Sequence, residues 1–459
     1  MDELANAGRS LPAYALWPIL LLSGLLVFAL CRRTPSVAGR FIMVAINLRF
    51  ALSGAHGLTF KHSPLGLSYN ALATIAITGV GLLLIRRRRL FGAGLAPFYF
   101  YLGLLVTSGI LSGEGPNTAN AFVKYAYLIV LMFAVEDAIG DIGFDRFLKL
   151  LLPVFALPFV MQAASVVLGV VKAGENDGSA SYIGGFNHEA AFSVTLSGGL
   201  LIVCLQRRIG LGAKVGMIAV CVVALFLANY RTVILAMMPL VGVAVLMDAP
   251  RHFVARQRAF VAGIMALLVV TVGVGGGIAG EERFADIGVA VTRGTDIIKR
   301  PELFSVEERR VMSGRPLIWS GYLYGWLDGT PKQKMLGHGP GSSSKHFVLY
   351  AHNTLVSALF EMGVLGVIAT ILLWLWMLGL AVLSKSGPKA EIIVAHVCFF
   401  ILNMATMPMW MMEGMIFYGV LCGVTLHFFH KGRPAPLGRV RPLPRTVGTK
   451  FPRMTNRMQ

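Results

Sequence analysis

Long, nearly unbroken apolar runs separated by short polar stretches dominate the chain. Runs of bilayer-crossing length fall at 12–31, 66–85, 92–111, 119–136, 148–171, 189–206, 214–229, 232–247, 259–279, 352–383, 391–408 and 414–430. A weaker run, 39–54, contains Arg49 and reads as a tilted span, a re-entrant piece or an interfacial helix. The pattern predicts an all-α polytopic membrane protein of 12–13 transmembrane helices. It divides the chain into helices of the bundle over 1–279, one long loop over 280–351, C-terminal helices over 352–430, and a basic, disordered tail over 431–459.

The loop has internal structure. Residues 303–327 mix apolar and basic positions at helical spacing, and Gly314 and Pro316 are expected to divide the segment into two short helices. The GHGPGSSS stretch, 337–344, is a loop by its glycines and proline. There is no convincing internal repeat, which weakens an inverted-repeat transporter reading.

Composition agrees with the membrane. The 459 residues are 56% hydrophobic and only 14% charged, with a mean hydropathy of +0.70, against roughly 25% charged residues in soluble domains. The first apolar run follows MDELANAGRS, which lacks a basic n-region, and no A-x-A site follows it. The run is expected to be retained as a span. The five cysteines have neither metal-ligand nor CxxC spacing and read as small buried apolar residues.

The net charge of +19 would suggest nucleic acid in a soluble protein. Here the cations occupy short loops: Arg86 to Arg89, Arg207–Arg208, Arg251 to Arg258 and Lys385 to Lys389. All fall on one side if every intervening span crosses, and short basic loops mark the cytoplasmic side. The bilayer surface therefore accounts for most of the charge, and no nucleic-acid partner is expected. The 280–351 loop falls on the other side yet carries Arg283, Arg293, Lys299, Arg300, Arg309, Arg310, Arg315, Lys332, Lys334 and Lys345. Long loops are largely exempt from the charge rule. A basic loop on the translocated side suggests an anionic ligand such as a diphosphate or an acidic sugar.

Candidate chemistry gathers at that side. Arg231, in LANYRTVILAMM, interrupts apolar sequence between two spans, where an arginine is costly and functional by default, although snorkelling would also place one there. Lys124, just inside the span 119–136, carries the same two readings. Arg315 in SGRPLIW offers a planar fork that suits phosphate. His352, in YAHNTLVSALFEMG, stands where the loop re-enters the membrane. It is a candidate general base for a sugar hydroxyl, or else an interfacial or capping residue. Asn353 is the expected N-cap of the next helix. Lys124, His188, Arg310, His338 and Asn353 are lesser candidates for binding the diphosphate or glycan. No HExxH, periplasmic DxD, P-loop or dinucleotide fingerprint occurs, so no metal or cofactor is expected. A nucleotide-sugar donor would want a soluble cytoplasmic domain, and the chain has none.

Five motifs in order, GGFNHEAAF (184–192), NYRTVILA (229–236), SGRPLIWSGYL (313–323), LGHGPGSS (336–343) and AHNTLVSALFEMGVLG (351–366), resemble the O-antigen ligase and O-antigen polymerase (Wzy-type) superfamily. The resemblance covers residues 115–425. It implies a GT-C-like fold in the bacterial inner membrane with its active site facing the periplasm. It also implies metal-independent transfer of a glycan from undecaprenyl diphosphate to a glycan acceptor (polymerase) or to lipid A–core (ligase), with other polysaccharide-assembly proteins as further partners. By motif, Arg231 and Arg315 would hold the diphosphate and His352 would deprotonate the acceptor hydroxyl. The usual serine before the span arginine is Tyr230 here. A polymerase of exopolysaccharide or O-antigen units is favoured over a ligase. A flippase of lipid-linked sugar is the reading from another class. It predicts cations near the bilayer midplane and broken helices in two matching halves. A non-catalytic scaffold would not require Arg231, Arg315 and His352 together.

Overall fold

The computed structural model describes residues 10–64, 66–85, 90, 93–173, 180–264 and 298–431. Apolar runs become helices because hydrocarbon leaves no water to satisfy backbone N–H and C=O groups. The bundle comprises α1 (Ala13–Arg33), α2 (Val37–Gly54), α3 (Tyr69–Leu84), α4 (Ala96–Ser112), α5 (Gly115–Ile142), α6 (Phe144–Val167), α7 (Glu189–Leu205), α8 (Leu211–Leu227) and α9 (Arg231–Asp248). It continues after the loop with α12 (Thr354–Leu383), α13 (Lys389–Asn403) and α14 (Met412–Lys431). The loop contributes α10 (Arg315–Leu327) and α11 (Pro331–Leu336). Among the described residues, seven helices are long and apolar enough to cross a membrane, and four further apolar helices are shorter. The chain is an all-α, multi-pass membrane protein.

The weak run around Arg49 is one of the seven. Ser36 caps it by accepting from Gly39 N at 3.0 Å, and the Ser36 hydroxyl donates to Asp141 at the far end of α5. The expected span 259–279 is helical as far as residue 264, and its remainder lies outside the described residues, as do loop residues 280–297, Arg86 to Arg89 and the tail after 431. The span expected at 391–408 ends as a helix at Asn403, because the chain turns through Met407 in the left-handed region before α14 begins.

Burial orders the bundle. Helix α14 lies at its centre, buried along most of its length against α5. Gly419 and Gly423 allow that approach, since a Cβ on either would press on Leu131, Met132 or Val135. Helix α1 lies at the edge and leaves Leu21, Leu22, Leu25 and Phe28 exposed, as a lipid-facing surface requires.

Helix ends meet in two sets. On the face rich in short-loop cations, Arg207 pairs with Glu391, Arg208 with Asp145, and Lys214 with Asp248. On the opposite face His56 Nδ1 meets Gly185 O at 2.7 Å, Tyr182 N donates to Leu227 O at 2.9 Å, and Lys345 pairs with Glu114. The long loop belongs to this second face.

That loop is built into the bundle. Helix α12 breaks at Gly363 (φ 66°). The GHGPGSSS segment enters the break: His338 N donates to Phe360 O and Gly339 N to Glu361 O, both at 2.9 Å. Ser108 of α4 donates to Leu336 O at 2.6 Å and to Glu361 O at 3.0 Å. The Ser343 hydroxyl reaches the buried Glu361 carboxyl at 2.6 Å. Gly314 (φ 79°) divides the 303–327 segment as its position suggests, but the first half is 3-10 helix over Glu308–Gly314.

Candidate functional site

Helix α10 is set against the start of α12 by an aromatic cluster. Tyr322 stacks on Phe347 at 4.0 Å between centroids and meets Phe360 edge-on at 5.6 Å. Two hydrogen bonds tie α10 to the strand before His352: Trp319 Nε1 donates to Ala351 O at 2.8 Å, and the Tyr322 hydroxyl donates to Leu349 O at 3.2 Å. Arg315 is the first residue of α10, and its guanidinium donates to Ala405 O at 3.4 Å. It also lies within interaction range of the Tyr230 phenol. Arg231 follows Tyr230 as the first residue of α9, after a turn in which Asn229 adopts φ 53°.

His352 has φ 51°, a conformation costly for a residue with a side chain. Its neighbour over-determines it: Asn353 caps α12 by accepting from Leu355 N at 2.9 Å and Val356 N at 3.2 Å. Asn353 therefore holds the turn, the capping role expected for it. The His352 ring lies 4.0 Å from that of Tyr350. Its Nδ1 is buried and makes no hydrogen bond within the protein. Burial pushes its pKa down to about 4, reinforced by the positive field of Arg315 and opposed by Glu189. An imidazole so placed is neutral at pH 7 and carries an unmet nitrogen. It is therefore free to accept a proton, and an anion bound beside Arg315 would raise its low basicity towards the ordinary imidazole range.

His188 joins this group. It caps α7, with Nδ1 accepting from Ala190 N at 3.0 Å, while Nε2 meets the Tyr350 hydroxyl at 3.1 Å. Glu189 beside it pairs with the buried Lys172. The fold thus gathers Arg315, His352 and His188, with Tyr350 and Tyr230 between them. Arg310 lies on the 3-10 helix one turn before Arg315. His338 is elsewhere: its ring stacks on Phe360 at 4.3 Å and its Nδ1 meets Gln333 Nε2 at 3.2 Å. Its role here is to anchor the loop.

Two cavities are lined in part by the neighbours of His352 in the chain. One, about 330 Å³, is lined by Phe60, Phe186, His188, Tyr350, Met407 and Met411, with Arg49 and Glu413 also in its wall. The other, about 190 Å³, is lined by Asn117, Asn120, Lys124, Thr354, Glu361 and Met409 among others. Trp410 lines both. The segment 350–354 therefore touches both cavities, with Tyr350 lining the larger and Thr354 the smaller. The segment 407–411 also lines both. Lys124 fixes it from below by donating to Trp410 O at 3.0 Å.

Sequence reasoning missed Tyr350, Trp410, Glu361 and Glu413. Glu413 was detectable as an acid at the start of an apolar run that faces Arg49 in another. Intramembrane ions of opposite sign invite pairing, and these two meet at 3.4 Å. Tyr350 and Trp410 gave no such signal, since aromatic residues are ordinary at a membrane interface.

No protein-family model matches the chain, and no curated protein matches it.

Proposed function

We propose that the protein is a glycosyltransferase that moves a glycan from undecaprenyl diphosphate to a sugar hydroxyl, on the periplasmic side of the bacterial inner membrane. The observation that carries this reading is that His352, with an unpartnered ring nitrogen, lies within the positive field of Arg315 on a segment whose Tyr350 and Thr354 line two different cavities. A transferase must hold a donor and an acceptor at once, with a base between them and a cation at the leaving group. Arg315, with Arg231 at the adjacent helix start, holds the diphosphate. His352 takes the proton of the attacking hydroxyl as that oxygen bonds to the anomeric carbon and the carbon–oxygen bond to diphosphate breaks. The proton rests on the imidazole and the electron pair leaves on the phosphate oxygen.

Short basic loops on the opposite face support the orientation. Polymerisation of exopolysaccharide or O-antigen repeat units is the favoured reaction. The test is a reconstituted transfer assay with purified protein, a lipid-linked repeat unit and EDTA, run with and without lipid A–core. A ladder of longer lipid-linked glycans, lost in His352→Ala, is the expected result. Product that forms only with lipid A–core makes the protein a ligase. Folded protein that transfers nothing from a matched donor, yet moves lipid-linked sugar across vesicles, makes it a flippase.

A further inference from the structure

The 190 Å³ cavity has chemistry of its own. Its volume is that of roughly six waters at ~30 Å³ each, below the range for drug-sized ligands and far below that of a polyprenyl chain. Lys124 reaches it from α5, and its ammonium makes one hydrogen bond among the described residues, to Trp410 O. An ammonium carries three donors, and burial makes unmet ones costly. Asn120 and Glu361 stand around the same space, and Trp410 supplies an aromatic wall. Glu361 is held in place by Ser343 at 2.6 Å, so the carboxyl is fixed rather than free to collapse onto Lys124. The half-buried ammonium, amide, fixed carboxyl and indole together match a ring bearing several hydroxyls. They do not match a hydrocarbon.

We propose that this cavity is a saccharide subsite that holds one sugar ring of the acceptor, with Lys124 donating to its hydroxyls. The assignment rests on the transferase reading for the word acceptor only; saccharide binding itself does not depend on it. Thr354, two residues after His352, lines this cavity. The larger cavity is mostly apolar and is left to the lipid-linked donor.

The test has two arms. In the first, purified full-length protein in detergent is titrated by calorimetry with lipid-free oligosaccharide released from the polysaccharide of the producing cells. Wild type and His352→Ala are expected to bind equally. Lys124→Met should bind on the order of ten- to a hundredfold more weakly, the loss of one or two charge-assisted hydrogen bonds. Ala121→Phe places a ring into the cavity from α5 and should abolish binding even if Lys124→Met proves unstable. Unchanged affinity in folded Lys124→Met or Ala121→Phe overturns the proposal, as does wild type that does not bind. In the second arm, transfer kinetics of Lys124→Met should show a raised KM for acceptor, with kcat and the KM for donor nearly unchanged. Binding without any transfer would leave the subsite standing and remove the transferase reading. Transfer with an unaltered acceptor KM would do the reverse.

Discussion

The Tyr350 hydroxyl lies 3.1 Å from His188 Nε2, across 162 residues of chain. Because His188 Nδ1 accepts from Ala190 N, the neutral ring carries its proton on Nε2 and donates it to the tyrosine oxygen. Tyr350 in turn holds its ring 4.0 Å from His352. The start of α7 thus reaches the base through one hydrogen bond and one ring contact. Tyr350→Phe keeps the ring and removes the bond. It should lower kcat by roughly tenfold, the scale of one lost hydrogen bond, with melting temperature nearly unchanged. Unaltered kcat in the reconstituted assay would show that His188 does not position the base.

The histidine itself titrates far from its ordinary range. Burial and Arg315 hold His352 at about 4, so the free enzyme should lose kcat/KM only below about pH 5. An unperturbed imidazole would place that limb near 6.5. Arg315→Gln removes a cation that repels the proton. The pKa then rises, and the acid limb of the residual activity moves up in pH. The same shift acts on stability. The unfolded chain binds this proton at a higher pH than the folded one. Stability therefore rises with pH across the window from about 4 to 6.5 and is lost as pH falls through it. In His352→Phe that portion of the pH dependence should vanish from thermal melts. An acid limb that stays near 6.5 in wild type contradicts the burial argument.

Most of the bundle was legible because its physical cause is local: each apolar run is a helix wherever lipid surrounds it. Arg49 made 39–54 ambiguous only because its partner, Glu413, is 364 residues away. Once the two ions are adjacent, the run is an ordinary span. The candidate site was legible in part. His352 and Arg315 announced themselves as polar residues at membrane boundaries. The lining of the two cavities depends on Tyr350 and Trp410, whose placement follows from how α12 and α14 begin, and no local pattern encodes that. His338 lies apart from Arg315 and His352 for a reason equally hidden from local pattern. Its motif marks an irregular loop, and the irregularity serves the break in α12 at Gly363.

The Arg49–Glu413 pair offers a test of the packing beneath the larger cavity. Both side chains are about 5% exposed, and Ser53 donates to the same Glu413 oxygen at 2.6 Å. Glu413→Gln leaves a buried guanidinium without its counter-charge and should destabilise the protein by about 3–5 kcal/mol. The double variant Arg49→Met with Glu413→Met removes both charges and should recover most of that loss. Melting curves in detergent for the double variant and its two single variants, Arg49→Met and Glu413→Met, read as a double-mutant cycle, measure the coupling. A double variant no more stable than Glu413→Gln would mean that the ions hold the cavity by more than mutual compensation.

The entry of the loop into α12 sets the last prediction. Gly337 adopts φ 77°, and a Cβ there would overlap the backbone of Glu361 and Met362. Alanine at this position meets two penalties together: a left-handed conformation and a backbone clash that no rotamer relieves. The segment 337–344 should then withdraw from the helix break. Glu361 would lose Ser343, and α10 would lose its seat on Phe360. Arg315 and His352 are held relative to each other by that same packing, so transfer should fall by at least ~100-fold, the cost of a misplacement of about 1 Å. Gly379→Ala serves as the control, since a Cβ there meets nothing within 4 Å. It should leave both activity and melting temperature as in wild type. Protease accessibility of the 330–350 segment distinguishes the outcomes: faster cleavage in Gly337→Ala supports withdrawal of the loop, and unchanged cleavage with full activity refutes it.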